Sequence, residues 1–431
     1  MDTRDQGQVT RLLGEVQKFA TEYLEFFSNQ GLAEPSFEAG NGHPLDGVVP
    51  IQVQAAREKA LEATEELHCL LLGPMGLLME APANQYILLS LQYIYRYNIA
   101  AHVPLHGETT FKAISEATGL DLDDVTRFIR LAAGWHIFHE VPKDAIVHTA
   151  ASRQLVGDPN LKAWIENIAV EFWPSLARTV DSTQRWPGSQ EPNESGYSLG
   201  HNTNDSPFDV IMRDPVRQQR FNDVQSFSHR HSSFSLDHLL KNFDFGDVRT
   251  LVDVGGGRGE VAMALAHKYS DMEVIVQDQP DIIRDMNNRV PPALRDRVRG
   301  MEHDFFTPQP VKDADLYLLR WVMHDWSDKY CVKILESLVP GLRRGARILV
   351  NDICVPEPAE LGVRADRGFR QMDMTMKAFN NARQRDHETW VHLFASVDPR
   401  LQFLGVTIPP GARMAIIQAE WTGEDGTVGG I

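Results

Sequence analysis

The chain has 431 residues, 42% of them apolar and 23% charged, with a formal net charge of -17. That length implies two domains, and the composition is that of a soluble globular protein rather than a disordered chain. The acidic balance argues against a nucleic-acid partner, and three scattered cysteines (Cys69, Cys331, Cys354) offer neither a disulfide framework nor zinc-site spacing.

The N-terminal residues form no apolar leader, and no run reaches the roughly 18 apolar residues of a membrane span. A cytoplasmic protein with no membrane partner is expected. Residues 9–28 and 50–72 read as helices, with Val9, Leu12, Leu13, Val16, Phe19 and Leu24 on one apolar face. Residues 29–49, rich in Gly, Pro and Asn, predict a loop, and the more uniformly apolar Tyr86–Ile99 predicts a buried helix. Residues 107–150 have the pattern of a winged helix. Thr110–Thr118 and Asp123–Ala133 are its two helices, the second capped by Asp121, and 137–141 with 145–149 form its hairpin. The second helix carries only Arg127 and Arg130 against three aspartates in and before it, too little to neutralise phosphates.

Residues 182–208 are polar and turn-rich and predict a long surface loop, followed by helix over 209–241. From 249 the pattern changes to strands at 250–254, 273–277, 315–319, 347–352 and 413–420, with helices such as 260–269, 328–342 and 364–379 between them. This alternation predicts an α/β domain with a mostly parallel, doubly wound sheet over 241–431, preceded by a helical domain over 1–240.

The first of those strands runs into Asp253-Val-Gly255-Gly-Gly257-Arg-Gly259, then a helix. Glycine lets the chain turn sharply and approach a ligand, and the helix start offers free N–H groups. The second strand ends in Asp278, 19 residues beyond Gly259, where a carboxylate can accept hydrogen bonds from both ribose hydroxyls. A loop and an acid of this kind fit NAD, FAD or S-adenosylmethionine (SAM). The spacing D-x-G-x-G-x-G, in place of G-x-G-x-x-G, resembles class I SAM-dependent methyltransferases.

Further motifs carry the resemblance through residues 80–420: Val276-Gln-Asp-Gln-Pro, His303-Asp-Phe-Phe, Arg320-Trp-Val-Met-His-Asp-Trp-Ser-Asp, Asn380-Asn-Ala-Arg-Gln-Arg and His148-Thr-Ala-Ala-Ser-Arg. The chain resembles small-molecule O-methyltransferases of the plant caffeate type, and more closely the fungal sterigmatocystin 8-O-methyltransferase-like enzymes of aromatic polyketides. The resemblance implies a Rossmann-like SAM-binding sheet behind a helical, winged-helix domain that dimerises and lids the substrate, hence a homodimer. It implies Gly255, Gly257 and Asp278 on the cofactor, Asp304 and Phe305 at the adenine, and Arg320 near the cofactor carboxylate. It implies His324 as catalytic base steadied by Asp352, Met376 and Asn380 in the substrate pocket, and no metal. At the second steadying position the family's glutamate is replaced by Gln384, which can hydrogen-bond an imidazole but cannot balance its charge.

The implied reaction is methylation of a phenolic hydroxyl of a secondary metabolite. The alternative is a methyltransferase-like pericyclase or cyclase that binds SAM without transferring the methyl group.

Overall fold

Helix-forming sequence fills the first third of the chain, and a single extended sheet organises the second half. A computed structural model describes residues 7–39, 49–142, 144–228 and 232–423. The extreme N-terminus, residues 40–48 of the expected 29–49 loop and Lys143 lie outside the described residues. The chain divides into two compact units, neither of them one continuous stretch.

The first unit comprises residues up to Trp173, Pro215–Phe227 and Leu361–Arg367. Its helices Gln8–Gln30 and Ile51–Glu80 pack as a pair, burying Leu12, Phe27, Ala56 and Ala63. The first helix stops at Gly31, whose φ of 64° puts it in the left-handed region. Gly73, at φ 67°, and Pro74 break the second into two segments. Helices Phe111–Thr118 and Leu122–Ala133 follow, with strands Thr109–Thr110, His139–Val141 and Ala145–Val147 in one small antiparallel sheet. Asp121 caps the second helix as its position suggests, accepting the N–H groups of Asp123 and Asp124 at 2.9 and 3.1 Å. Both arginines of that helix are already engaged, Arg127 with Asp123 at 2.8 Å and Arg130 with Glu140 and Asp144 at 2.7 and 2.8 Å.

The apolar segment expected as a buried helix forms Asn84–Arg96, but only Ser90 and Ile94 of it are buried, and Tyr86 is 54% exposed. Uniform apolarity records which residues avoid water. It does not record whether the partner that shields them lies in the same chain.

The second unit holds Pro174–Asp214, Ser228–Glu360 and Gly368–Ile431. The strands of its main sheet are β1 (Thr250–Val254), β2 (Glu273–Asp278), β3 (Val298–Glu302), β4 (Leu316–Arg320), β5 (Arg347–Asp352), β6 (Leu401–Thr407) and β7 (Ala415–Trp421). They assemble in the order β6-β7-β5-β4-β1-β2-β3, parallel from β3 to β5, with β7 antiparallel to β5 and β6 antiparallel to β7. The helices used below are α1 (Glu260–Lys268), α2 (Pro280–Arg289), α3 (Asp328–Leu338), α4 (Val363–Asn380) and α5 (His387–Val397).

Alternation along the strands explains the two layers of helices. Val252, Val254, Tyr317, Leu319, Ile348 and Val350 point into a core with Leu335 of α3 and Trp390 of α5. Leu251, Leu316, Leu318 and Leu349 point to the other face, against Leu265 of α1 and Met286 of α2. Each such side chain contributes about 1.5–3 kcal/mol by leaving water, so both faces favour this winding. Strands β3 and β6 were not expected. In β3, Arg299 and Gly300 interrupt the apolar run, and a Cβ on Gly300 would lie 2.8 Å from the side chains of Asn287 and Ile283. In β6 the register shifts between Phe403 and Gly405, which masks the two-residue period.

The expected 182–208 surface loop is only partly right, since residues 183–185, 187–188 and 202–205 lie largely at the surface while the middle of the segment packs inside. It carries the end of helix Thr179–Arg185, helix Gly196–Gly200, and the fully buried Ser195 and Tyr197. Its glycines pack tightly, since a Cβ on Gly196 would stand 2.3 Å from the Ser175 carbonyl oxygen. Its polar groups are spent inside the unit: Ser195 Oγ donates to the Phe379 carbonyl at 2.9 Å, and Asn381 Nδ2 to the carbonyls of Glu191 and Glu194 at 2.9 and 2.8 Å. Tyr330 OH donates to Glu191 Oε2 at 2.7 Å. The polarity of its buried part reflects satisfied hydrogen bonds rather than exposure.

Candidate active site

Two corners at the carboxyl ends of β1, β2, β4 and β5 gather most of the residues singled out in the sequence. At the first, β1 leads into Gly255, Gly257 and Gly259 at φ 69°, 57° and 77°, a region that disfavours a side chain. The Gly255 and Gly256 N–H groups donate to the Gln277 carbonyl at 2.8 and 3.1 Å, which ties the loop to β2. A Cβ on Gly255 would meet Val322 Cγ2 at 2.9 Å, and one on Gly256 would meet Asp253 Cγ at 2.6 Å. At Gly257 a Cβ would meet nothing within 4 Å. Two of these glycines are therefore required by packing, and the third by conformation beside open space.

Asp278 stands next to that space. Its Oδ2 accepts the Gly257 N–H at 2.9 Å and its Oδ1 the Gln279 N–H at 2.8 Å. Burial raises its pKa above the usual carboxylate value, and the two N–H groups oppose the rise. Asp253, buried behind the loop, is pushed up to about 7, first by burial and then by the Asp278 carboxylate, with the Arg320 guanidinium opposing. Its Oδ2 has no hydrogen-bond partner among the described residues. Arg320, at the end of β4, is buried too, and burial brings it down to about 10 against the pull of Asp253 and Asp352. Its guanidinium donates to Asn351 Oδ1 and, at 2.7 Å, to the Phe234 carbonyl, while Nε has no partner among the described residues. The Phe305 ring lies 3.8 Å from where a Gly255 Cβ would be, edge-on to Phe306 and Trp326. Asp304 is exposed, and its Oδ1 accepts the Phe306 N–H of its own turn at 3.0 Å.

The second corner begins where β4 ends. Trp321 takes a φ of 56°, a strained conformation for so large a side chain, and swings the chain into the short turn Met323–Asp325 that presents His324. The ring is 6% exposed, with Trp321 tilted across it at 4.7 Å between centroids. His324 Nδ1 lies 3.2 Å from Gln384 Nε2 and 3.9 Å from Asp352 Oδ1, and Nε2 lies 3.5 Å from Asp325 Oδ1. Asp352, at the end of β5, uses Oδ2 to accept the His324 backbone N–H at 3.0 Å and Oδ1 to accept the Ile353 N–H at 2.8 Å. It therefore holds the backbone of the histidine more closely than its ring.

Gln384 is the nearest group to Nδ1, and its Oε1 has no partner among the described residues. With the amide oxygen turned to the ring, it accepts Nδ1–H and leaves the Nε2 lone pair free to take a proton. Asn380, the last residue of α4, donates from Nδ2 to the Asp325 carbonyl at 2.6 Å, and its Oδ1 is buried without a partner among the described residues. Met376 is buried one turn earlier on α4. Sequence reasoning gave no role to Trp321 or Arg385. Arg385 is fully buried and clamps the turn, donating to the carbonyls of Met323 and Trp326 at 2.9 and 2.8 Å and to Asp328 Oδ1 at 2.8 Å. Only its place in the quoted Asn380–Arg385 motif marked it in the sequence.

Comparison with known proteins gives the family. An O-methyltransferase domain family matches residues 189–397. The grayanic acid biosynthesis cluster O-methyltransferase of Cladonia grayi is 35% identical over 96% of this chain and 89% of its own length. The chlorophenol O-methyltransferase of Trichoderma longibrachiatum is 32% identical over 95% of this chain and 90% of its own. Among solved structures, OxaC shares the fold at a TM-score of 0.78 and 20% identity, covering 96% of this chain and 100% of that one, and has also been solved with SAH and oxaline. This chain belongs to the O-methyltransferase family, and it is a SAM-dependent enzyme of that family.

Proposed function

We propose that the protein methylates a phenolic hydroxyl of a secondary metabolite such as an aromatic polyketide, with His324 as general base. The observation that carries this reading is the buried imidazole, faced by a hydrogen-bonding amide on Nδ1 and held on the strand ends next to the glycine loop. The residues present fit the donor. The open side of Gly257 lies beside the Asp278 carboxylate, which suits a ribose, and the partly buried Phe305 ring beside Gly255 suits an adenine. Asp304 would meet the adenine amino group, and Arg320, with Nε unpartnered among the described residues, would lie toward the carboxylate of the amino-acid portion. When bound, SAM supplies an electrophilic methyl group on a cationic sulfur.

The rest is the work of this chain. A phenol ordinarily has a pKa of about 10 and is mostly protonated at neutral pH, so a base that takes its proton as attack begins lowers the barrier. His324 Nε2 would take that proton. Asp352 would hold the histidine backbone, Gln384 the tautomer, and Met376 and Asn380 would flank the acceptor. A general base of this kind contributes about 10²–10⁴-fold.

We also propose a cytoplasmic homodimer. The three cysteines are free, and no described helix is long and apolar enough to cross a membrane. The segment after Gly73 leaves Met75, Leu78 and Met79 each about 70% exposed, an apolar face that suits a second copy. Sedimentation of the full chain is expected to give twice the monomer mass.

The neutral Gln384 keeps a second reading open, a pericyclase or cyclase using the same pocket. Labelled SAM offered with a panel of phenolic polyketides separates the two. Label in a phenol ether is expected; conversion of a non-phenolic polyene with no label in any phenol would overturn the methyltransferase reading.

A further inference from the structure

We propose that Asp325 is a positioning residue that supplies, from the Nε2 side of His324, the negative charge that Gln384 does not supply from the Nδ1 side. The inference rests on the reading of His324 as general base. A base that takes a proton becomes a cation in a place sheltered from water, where an unbalanced charge is costly. On Nδ1 the nearest group, at 3.2 Å, is an uncharged amide. The Asp352 carboxylate is farther, at 3.9 Å, and both its oxygens are occupied by backbone N–H groups. On Nε2 the nearest group is the Asp325 carboxylate at 3.5 Å.

Asp325 is placed for this task and for no other visible one. Its side chain is 15% exposed, and among the described residues its polar side-chain partner is the His324 ring. Its backbone is pinned from two directions. Asn380 donates to its carbonyl at 2.6 Å, and Arg385 holds the carbonyls of Met323 and Trp326 on either side. Among the described residues the charged groups that act on it are the His324 ring and the Asp352 carboxylate, and the Arg385 guanidinium binds the backbone of the same turn. Burial and the Asp352 charge push its carboxyl up to about 6, and the His324 ring opposes them, so the carboxylate and the protonated ring favour each other.

The step balances simply. The phenol O–H bond breaks and an Nε2–H bond forms; the positive charge appears opposite Asp325, which neither gains nor loses a proton. The phenolate oxygen then bonds to the methyl carbon as the S–CH3 bond breaks and its electron pair stays on sulfur.

Phenols of graded acidity test the idea, because a chlorinated phenol ionised at the assay pH needs no base. In Asp325→Asn, kcat for weakly acidic phenols is expected to fall about 10–100-fold, and for ionised chlorinated phenols less than about threefold. The acid limb of the kcat profile should move to lower pH. Adding Gln384→Glu to Asp325→Asn should recover most of the loss. An equal loss across all phenols, no loss at all, or no recovery by Gln384→Glu would overturn the inference. Should Asp325→Asn not fold, Asp325→Glu keeps the charge and must keep the parent's ratio between the two kinds of phenol; a collapsed ratio overturns the inference as well. Failure of the underlying reading looks different: a His324→Gln variant as active as the parent, or a parent that methylates no phenol.

Discussion

The two corners of the sheet are built by opposite means. At the end of β1 glycines shape a loop whose backbone N–H groups tie it to the adjacent strand β2 and to that strand's terminal carboxylate, Asp278. At the ends of β4 and β5 the proposed working groups are side chains from distant stretches, His324, Asp352, Asn380 and Gln384, and the backbone only presents them. A backbone site tolerates little change, because Gly255 and Gly256 have close neighbours and Gly257 has a positive φ. A side-chain site can exchange one member for another, and in the inference above the Asp325 carboxylate on one side of the ring would take over the charge that Gln384 lacks on the other.

This contrast can be broken at either corner. The largest effect is expected from Gly256→Val, whose Cβ would sit 2.6 Å from Asp253 Cγ. Overpacking of this kind costs roughly 1–3 kcal/mol, a fall in melting temperature of about 5 °C, and the stabilisation by added SAM should vanish. A parent-like melt with an intact SAM response would show that the loop is not shaped by this contact. Gln384→Glu alone should act more mildly, because Asp325 already faces the ring. A second close carboxylate favours the protonated imidazole, so the acid limb of kcat moves to higher pH while the alkaline plateau rises about two- to fivefold. A gain as large in the parent as in the Asp325→Asn background would deny that the two acids substitute for each other.

The smallest effect belongs to Asp253→Asn, read as stability against pH. The folded carboxyl is raised to about 7, above the roughly 3.9 of an unfolded chain. Between those values the native state holds the proton and the unfolded state does not, so this group's contribution falls as pH rises from about 4 to about 7. Asparagine removes that loss. The melting difference should therefore shift in favour of the variant by a few degrees between pH 5 and pH 8, and a constant difference would mean that Asp253 is ionised throughout.

The same contrast explains what could be read from the chain. The glycine loop and Asp278 were legible because their chemistry is local, with each residue's type fixed by a turn or a strand end. The helix cap Asp121 and the strands β1, β2, β4, β5 and β7 were legible for the same reason. His324 and Gln384 could be paired only through the family resemblance, since 60 residues separate them. The bond from Asp352 to the histidine backbone, the Arg385 clamp and the strained Trp321 leave no periodic trace in the sequence. The inner part of the 182–208 segment was misread because its polar groups are satisfied internally, by carbonyls and by partners on α3 such as Tyr330. Polar composition alone does not separate that case from exposure.

The most direct test of the division between a cofactor corner and a proton-accepting corner is His324→Gln, followed by calorimetric SAM binding and labelled methyl transfer to a weakly acidic phenol. SAM affinity within about twofold of the parent and a kcat lower by about 10²-fold or more are expected. Methyl transfer at the parent rate with SAM affinity unchanged would contradict the account, because some other group would then be taking the proton.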